Sequence, residues 1–507
     1  MKIQEKLSQV VLWGVGTTTL VVTPFMSFDP MTVPRFSVLL TFGIVGFFLI
    51  IQLKTELFSS SYRKVLVAAI AFISWATIST FVSGINLVEG FFGINGRQTG
   101  LLTYFGFTSL MICSVLSSNR ILIKKISFLF LITGSVSGIY GVIQSVGGDP
   151  FDWVNPYSPV FGFFLVLAFY NIYETKSQQG YLVFLIGILV VFFLYLRTNR
   201  HLEKFSAPFA IISMLIFLAL ILDILQKSPW KSLLYKDSVS LRGDYWRAGL
   251  KMSLDHPIFG VGLDGYRDHF RQSRDQVAAA RENSGAVADS AHNVFLDISA
   301  GGGLPLLLVY VFFIGLTFLS AVRLIRRSTV FDPYLTSLLA AWIAYVAQSL
   351  ISISQLGLAV WGWVLMGTII GYEVSSREKL KDKHINSQFS GASTFLGLIL
   401  SLAIALPPYV ADAKFRSNLK SGEVLKIETS SRQWPQSVNR LTYIAQLFRE
   451  ANINDRSLLI ARAAVEFNPM YYEAWQELSA QPNASEFERD LALKTMKKLD
   501  PFNPNLK

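Results

Sequence analysis

Long apolar stretches recur along the chain, and short polar segments separate them. A run of about 20 apolar residues is long enough to cross a bilayer as a helix, in which every backbone polar group is bonded within the segment. The pattern predicts eleven membrane-spanning helices, at residues 8–26, 35–53, 65–83, 99–117, 126–147, 181–197, 206–225, 293–322, 335–352, 355–373 and 393–411. A twelfth apolar stretch, 158–173, is shorter.

Composition excludes several other classes of protein. Hydrophobic residues make up 52% of the 507 residues and charged residues 16%, whereas soluble chains carry about 25% charged residues. An ordinary soluble enzyme and a disordered protein are therefore excluded, and the single Cys113 excludes a disulfide scaffold. The net charge of +11 is interpreted as orienting charge on loops, so no nucleic-acid partner is expected.

The basic residues fall mainly in alternate breaks between the apolar runs. One set of breaks, with the N-terminal segment, carries 18 of them: Lys2, Lys6, Lys54, Arg63, Lys64, Arg120, Lys124, Lys125, Arg197, Arg200, Lys204, Arg323, Arg326, Arg327, Arg377, Lys379, Lys381 and Lys383. The opposing short loops hold only Arg35, Arg97 and Lys176. Because basic loops stay in the cytoplasm, this bias predicts a cytoplasmic N-terminus and a multi-pass protein of the cytoplasmic (inner) membrane.

This orientation holds only if the short stretch 158–173 does not cross the membrane, so it is predicted to be re-entrant or interfacial. Two hydrophilic segments then lie outside, the loop 227–292 and the tail 412–507. The predicted fold is an all-α polytopic membrane helix bundle of about 11–12 spans. Its predicted domains are an N-terminal bundle (1–226), an extracytoplasmic catalytic loop (227–292), a C-terminal bundle (293–411) and a small helical-repeat tail (412–507).

The tail has a repeating pattern. Pro435, Pro469 and Pro504 recur at intervals of 34 and 35 residues, with amphipathic helical segments between them. This period resembles the tetratricopeptide repeat, over about two degenerate repeats. Two interpretations remain open: a short helical cap without a partner, or a docking surface for a protein partner.

The loop 227–292 is too long to be a simple connector. It contains three of the chain's five histidines, His256, His269 and His292. The apolar pattern of 245–254 predicts an amphipathic helix on the membrane surface, and the glycines of 259–262 predict a turn after it. Arg242 and Arg247 offer planar guanidiniums that suit phosphate, and His292 can exchange a proton near neutral pH. Spacing alone leaves open which carboxylate assists His292.

Four motifs in this region occur in a characteristic order. They are Arg-Gly-Asp-Tyr-Trp-Arg at 242–247, Asp-His-Pro-Ile-Phe-Gly-Val-Gly-Leu at 255–263, His-Asn-Val-Phe-Leu at 292–296 and Gly-Gly-Gly-Leu-Pro at 301–305. Together they resemble the O-antigen ligase / Wzy C-terminal superfamily, over roughly residues 1–410. The resemblance implies transfer of a glycan from undecaprenyl diphosphate to a hydroxyl of a lipid, glycan or protein acceptor, on the outer side of the membrane.

The resemblance also implies roles for single residues. His292 is the motif histidine expected to engage the acceptor hydroxyl, and Arg242 the arginine expected to contact the diphosphate. The expected substrate-binding residues are Arg97, Arg247, Lys176, Asn293 and Tyr245. Arg97 has an equally weighted alternative as an interfacial anchor. At 175–180 the chain reads Thr-Lys-Ser-Gln-Gln-Gly and departs from the family pattern, because a glutamine stands where an arginine is expected.

A metal-independent, inverting enzyme without a cofactor is expected. The first predicted outer loop, 27–34, has the single carboxylate Asp29, whereas a hard cation needs several oxygen ligands. Ligase, repeat-unit polymerase and protein O-oligosaccharyltransferase share the donor and stay open as alternatives. Two further rivals are a polysaccharide transporter and a non-enzymatic scaffold that recruits partners through its tail.

Overall fold

The chain folds into helices throughout the part that the structure describes. The computed structural model describes residues 3–53, 61–145, 173, 178–224, 237–280, 287–377 and 387–506. Within these ranges there is no β-strand. Numbered in chain order, the helices of the bundle are α1 (Ile3–Leu20), α2 (Thr32–Ile51), α3 (Arg63–Val82), the short α4 (Leu87–Phe92), α5 (Leu101–Ser117), α6 (Arg120–Ser145), α7 (Gln178–Thr198), α8 (Ser206–Ile224), α12 (Val294–Arg327), α13 (Pro333–Ser349), α14 (Leu356–Ser375) and α15 (Ser387–Ser421).

Each of the eleven predicted spans coincides with one of these helices. Seven helices are long and apolar enough to cross a membrane, and α5 is a shorter apolar helix. The predicted all-α polytopic fold is therefore confirmed. The first helix, α1, ends at Leu20, before the end of the predicted span 8–26. Pro24 follows, and proline disfavours helix in the residue before it. Of the predicted re-entrant stretch 158–173, only Tyr173 lies within the described residues.

Helix α5 lies at the centre of the bundle, between α2 and α14. Glycines let the backbones approach closely: a Cβ at Gly367 or Gly371 would stand 2.2 Å from the carbonyl oxygen of Met111 or Val115. Small residues serve this purpose between membrane helices. Aromatic rings surround Trp363 in the same layer, namely Phe72, Tyr104, Phe107, Tyr310 and Phe313.

The outward faces of the long helices are apolar. Phe81 on α3, Leu308 on α12 and Phe395 on α15 have exposed fractions of 57%, 67% and 64%. Large apolar side chains in such numbers on an outer surface are typical of contact with lipid. The chain is therefore a multi-pass membrane protein.

Between the two halves of the bundle, the described part of the loop forms three helices, α9 (Asp237–Asp255), α10 (Tyr266–Ser273) and α11 (Gln276–Ala279). The tail forms five more: α16 (Val424–Ser431), α17 (Val438–Glu450), α18 (Asn454–Phe467), α19 (Tyr472–Ser479) and α20 (Glu486–Leu499). Helix α15 continues through residue 412 to Ser421, so the last helix of the bundle extends into the predicted tail domain. The tail packs around its own core; its assignment to the tetratricopeptide repeat stays a prediction.

Candidate functional site

Two of the sequence motifs meet as paired backbone segments. The amide of Val261 donates to the carbonyl of Ala300 at 2.8 Å, and the amide of Gly262 donates to that of Gly301 at 3.0 Å. The turn predicted at 259–262 is present, and Gly260 and Gly262 both have positive φ. The motif 255–263 therefore lies directly on the glycine motif 301–305.

This pairing breaks helix α12 near its start. Gly303 has φ of 77°, a conformation that favours glycine, and a Cβ there would stand 2.0 Å from the carbonyl oxygen of Ile258. Pro305 follows, and proline cannot donate a helical hydrogen bond. The amide of Leu304 donates instead to the carbonyl of Pro257 at 2.8 Å. The break fixes the loop against the N-terminal turns of α12.

His292 lies immediately before those turns. Its backbone has φ of 52°, which is uncommon for a residue other than glycine. The next residue, Asn293, caps α12: its side chain accepts from the amides of Phe295 at 3.0 Å and Leu296 at 3.2 Å. The imidazole of His292 stacks on the Tyr245 ring, with centroids 5.3 Å apart and planes 26° apart. The predicted helix over 245–254 thus forms as part of α9 and delivers Tyr245 to His292.

The surroundings of His292 favour its neutral form. Partial burial lowers the pKa of the imidazole, and the positive charges of Arg242 and Arg97 lower it further, while Asp289 acts in the opposite direction. The ring is therefore neutral at pH 7 and has one nitrogen that can accept a proton. Arg242, Arg97 and Asp289 therefore lie close enough to His292 to affect its pKa.

Arg97 is held by three carboxylates. Its guanidinium nitrogens lie 3.4 Å from Asp264, 3.6 Å from Asp289 and 3.7 Å from Asp297. Its Nη1 also donates to the backbone carbonyl of Asp289 at 2.6 Å. Burial opposes the charged form, but the carboxylates outweigh it and raise the pKa of the guanidinium. Arg97 joins the loop 93–100 to both ends of the His292 segment.

Arg242 is in a different environment. The guanidinium is half-buried, and burial lowers its pKa, opposed by Tyr245. With the carboxamide oxygen of Gln179 turned toward it, Arg242 Nη1 donates to that oxygen at 2.6 Å. In the described part of the chain no carboxylate forms an ion pair with Arg242. Gln179, in the segment that departs from the family pattern, is therefore a polar neighbour of this arginine.

The region around His292 is similar to a known protein family. Residues 163–311 match the family model described as O-Antigen ligase. Over these residues the chain is similar to O-antigen ligases. The predicted resemblance is confirmed over this range, and it supports a membrane enzyme of the O-antigen ligase and polymerase type. No curated protein matches the chain.

Within residues 163–311, the other predicted substrate-binding residues differ in what they contact. Arg247 pairs with Asp244 and, at 2.8 Å, with Asp275, so its guanidinium links α9 to the start of α11. Asn293 caps α12, as described above. Lys176 lies outside the described residues.

Asp264 is a site residue that sequence reasoning missed. Its side chain is fully buried, and Oδ2 accepts from the amides of Ile94 at 2.8 Å and Thr99 at 3.0 Å. Its Oδ1 accepts from the Thr99 hydroxyl at 2.6 Å. This carboxylate therefore shapes the 93–100 loop that carries Arg97. The signal in the sequence was a lone acid between Gly262 and Gly265, where a tight turn buries the side chain.

The carboxylates near His292 surround the guanidinium of Arg97. Among the residues that the structure describes, no group of three or more His, Cys, Asp or Glu side chains is arranged to hold a metal ion. The aspartates 264, 289 and 297 converge on Arg97, whose fixed positive charge occupies that position. The metal-independent mechanism stays a prediction.

Proposed function

We propose that the enzyme transfers a glycan from a polyprenyl diphosphate carrier, undecaprenyl diphosphate, to a hydroxyl acceptor on the outer side of the cytoplasmic membrane. One observation carries this proposal. A histidine held neutral by burial and by two arginines lies beside one arginine, Arg242, that has no carboxylate partner in the described chain. A proton acceptor next to an available guanidinium suits attack by a hydroxyl on a sugar diphosphate.

In the proposed reaction the acceptor hydroxyl attacks the anomeric carbon of the donor sugar. The new bond joins the acceptor oxygen to that carbon, while the bond from the same carbon to the phosphate oxygen breaks. The hydroxyl proton passes to the free ring nitrogen of His292, and the bonding pair leaves with the polyprenyl diphosphate. A single displacement of this kind inverts the anomeric configuration.

Arg242 stabilises the leaving diphosphate in this scheme. A guanidinium forms two parallel hydrogen bonds to phosphate oxygens, and in a partly buried site this charge acts strongly on the transition state. Arg97 is already engaged by three carboxylates. The geometry therefore supports a role for Arg97 in holding His292 neutral and in place, in preference to direct contact with phosphate.

The proposed orientation puts the N-terminus in the cytoplasm and the loop and tail outside. Two contact groups support one part of this orientation, namely that the basic clusters share one side of the bundle. Arg327 and Arg377 both meet the buried Glu373, at 3.6 and 2.6 Å, and Arg120 pairs with Asp332 at the start of α13. The predicted cytoplasmic clusters thus join one another through the ends of the helices, while the loop and tail contact each other.

A transfer assay in membranes that lack the native enzyme tests the proposal. His292→Ala and Arg242→Ala should each abolish the glycoconjugate and leave lipid-linked donor to accumulate, at matched protein levels. His256→Ala is the matched control, since His256 is exposed in the same loop. Wild-type product in both test variants would refute the catalytic assignment and favour the scaffold alternative.

The same assay separates the remaining alternatives. A ligase, a polymerase and a protein O-oligosaccharyltransferase lose a lipid-linked glycan, a long polysaccharide and a modified protein respectively, because they differ only in the acceptor. Parallel reactions with EDTA test the proposed metal independence: full activity supports it, and loss of activity that Mg²⁺ or Mn²⁺ restores would overturn it.

A further inference from the structure

Helix α10 of the catalytic loop has two faces with different partners. Tyr266 and Phe270, one helical turn apart, are buried in the small core of the loop. Arg267 and Arg271 have the same spacing one position further along, and Arg274 follows the last residue of the helix; all three are also buried. Residues at this spacing share a face of a helix. The aromatic face belongs to the O-antigen ligase site, and the arginine face contacts the C-terminal tail.

The arginines meet buried acids and rings of the tail. Arg274 Nη2 lies 2.7 Å from Asp500 Oδ2, and Arg271 Nη1 lies 3.2 Å from the same oxygen. Arg271 Nη2 lies 2.8 Å from Glu473, and its guanidinium stacks over the ring of Tyr472 at 4.2 Å. The Asp500 side chain is completely buried. The two arginines, with the Asn503 carboxamide that donates to Oδ2 at 3.0 Å, supply the partners that a carboxylate without access to water needs.

A second set of contacts joins the tail to α10 and to α4. Arg267 lies over the Tyr471 ring at 4.3 Å. The Asn468 carboxamide donates to Asp268 Oδ2 and to Glu89 Oε2, each at 2.7 Å. A carboxamide nitrogen has two hydrogens, so both bonds can form together. We call these two sets of contacts, around Asp500 and around Asn468, the tail clamp.

The clamp is connected to His292 through one short helix. The Tyr266 hydroxyl donates to the backbone carbonyl of Tyr245 at 2.6 Å, and the Phe270 ring packs edge-on against the Tyr245 ring with centroids 5.7 Å apart. Tyr245 in turn stacks on His292. A displacement of α10 therefore moves the ring that supports the histidine.

We propose that the C-terminal tail is a positioning module for the catalytic loop, and that Asp500 is its central positioning residue. This inference rests on the proposed function, because the consequence of docking is the placement of His292. Asp500 touches no substrate; it acts through Arg271 and Arg274 on α10. The tail's contacts with its own loop thus give it a role inside the enzyme, apart from any protein partner.

The test uses the full-length protein in detergent or membranes with three substitutions. Asp500→Asn keeps the shape and removes the charge of the clamp, and Glu473→Gln removes a partly exposed contact. Asp490→Asn is the matched control, because Asp490 is an exposed acid on α20 of the same tail. For each variant we would measure kcat and KM for the donor, the pH–rate profile, and trypsin cleavage after Arg267, Arg271 and Arg274, identified by mass spectrometry.

Asp500→Asn is expected to speed cleavage at these three arginines and to lower kcat about tenfold to a hundredfold, since small displacements at a catalytic group have effects of this size. KM for the donor should change by less than about threefold. The acid limb of the pH–rate profile, where activity falls at low pH, should move up toward about pH 6.5 as water reaches His292. Glu473→Gln should act in the same direction and more weakly. Asp490→Asn should match wild type.

Two results would overturn the proposal. If Asp500→Asn and Glu473→Gln speed cleavage while kcat and the acid limb stay at wild-type values, the tail does not position the site. If neither variant changes cleavage or kcat, the clamp does not hold the loop. The His292→Ala variant is assayed in parallel: its full activity would refute the proposed function itself, whereas its inactivity beside a fully active Asp500→Asn would refute only the positioning role.

Discussion

Two groups of arginines in the loop 227–292 differ in the side chains that they meet. In the tail clamp, Arg271 and Arg274 each meet a carboxylate, and Asp500 between them is fully buried. Beside His292, Arg242 meets the carboxamide of Gln179 and has no ion pair in the described chain. We therefore propose that the arginines paired with carboxylates hold the structure, and that Arg242, which faces a neutral amide, binds a ligand.

Arg97 shows that closeness to His292 does not by itself make an arginine a ligand-binding residue. It lies close enough to lower the pKa of His292, yet three aspartates engage it. From this comparison we propose that Arg97 belongs with the clamp arginines as a structural cation. The predictions below test that division, from the largest expected effect to the smallest.

The largest effect is expected at Asp264, on the structural side. Asp264→Ala leaves the amides of Ile94 and Thr99 and the guanidinium of Arg97 without their buried acceptor. Removing one partner of a buried charge pair costs about 3–5 kcal/mol. Thermal unfolding in detergent should show this loss. Asp275→Asn is the control, because its pair with Arg247 is exposed and such pairs contribute about 1 kcal/mol or less; equal losses in both variants would contradict the prediction.

Arg242→Lys tests the ligand-binding side. Lysine keeps the charge but loses the planar fork that matches phosphate, so kcat/KM for the donor should fall on the order of a hundredfold, about 2.7 kcal/mol. Stability should change little, because no carboxylate in the described chain depends on Arg242. Lys251→Ala, an exposed cation on the same helix, serves as the control. A stability loss as large as that of Asp264→Ala would place Arg242 among the structural arginines.

The clamp should respond to pH through Glu89. Burial raises the pKa of this carboxyl to about 7, against the opposing charge of Arg267. The pKa of Glu89 in the folded state lies above the unfolded value of 4.5. The contribution of this carboxyl to folding stability is therefore complete below pH 4.5 and is lost as pH rises through about 7.

Cleavage of α10 by trypsin, corrected for the protease's own pH profile, should therefore increase from acid pH to pH 7. Glu89→Gln, which keeps an acceptor for Asn468, should remove this dependence. Glu486→Gln, at an exposed acid of the tail, should retain it. A dependence that survives in Glu89→Gln would assign the titration to another group.

The smallest effect is expected at His292. Transfer should persist below pH 6.5 and fall as the imidazole takes up a proton, because burial and the two arginines lower its pKa. Asp289→Asn should move this low-pH side of the profile to lower pH, because the Asp289 charge raises the pKa of His292. The shift should be below about one pH unit, because the half-exposed Asp289 carboxylate is screened by water and salt. A profile that stays in place or moves to higher pH would show that His292 does not set its low-pH side.

Much of this architecture could be predicted from the sequence because it is local. Apolar runs of sufficient length form helices wherever the backbone must satisfy its own hydrogen bonds, and all eleven runs correspond to helices. The helix around Tyr245 and the turn at 259–262 follow from short-range patterns in the same way. The family motifs added the chemistry that spacing alone leaves open.

The rest depends on contacts between residues far apart in the chain, which no local pattern encodes. The pairing of Arg97 with Asp264 joins positions 97 and 264, and the clamp joins Arg274 to Asp500. A charged side chain has the same appearance in a sequence whether it is solvated, paired or aimed at a ligand. The sequence by itself determined the helices and the loop, and it supplied the candidates for the reactive residues. Only the tertiary structure decided which arginines are already neutralised, because that depends on which carboxylates the folded chain brings within about 4 Å.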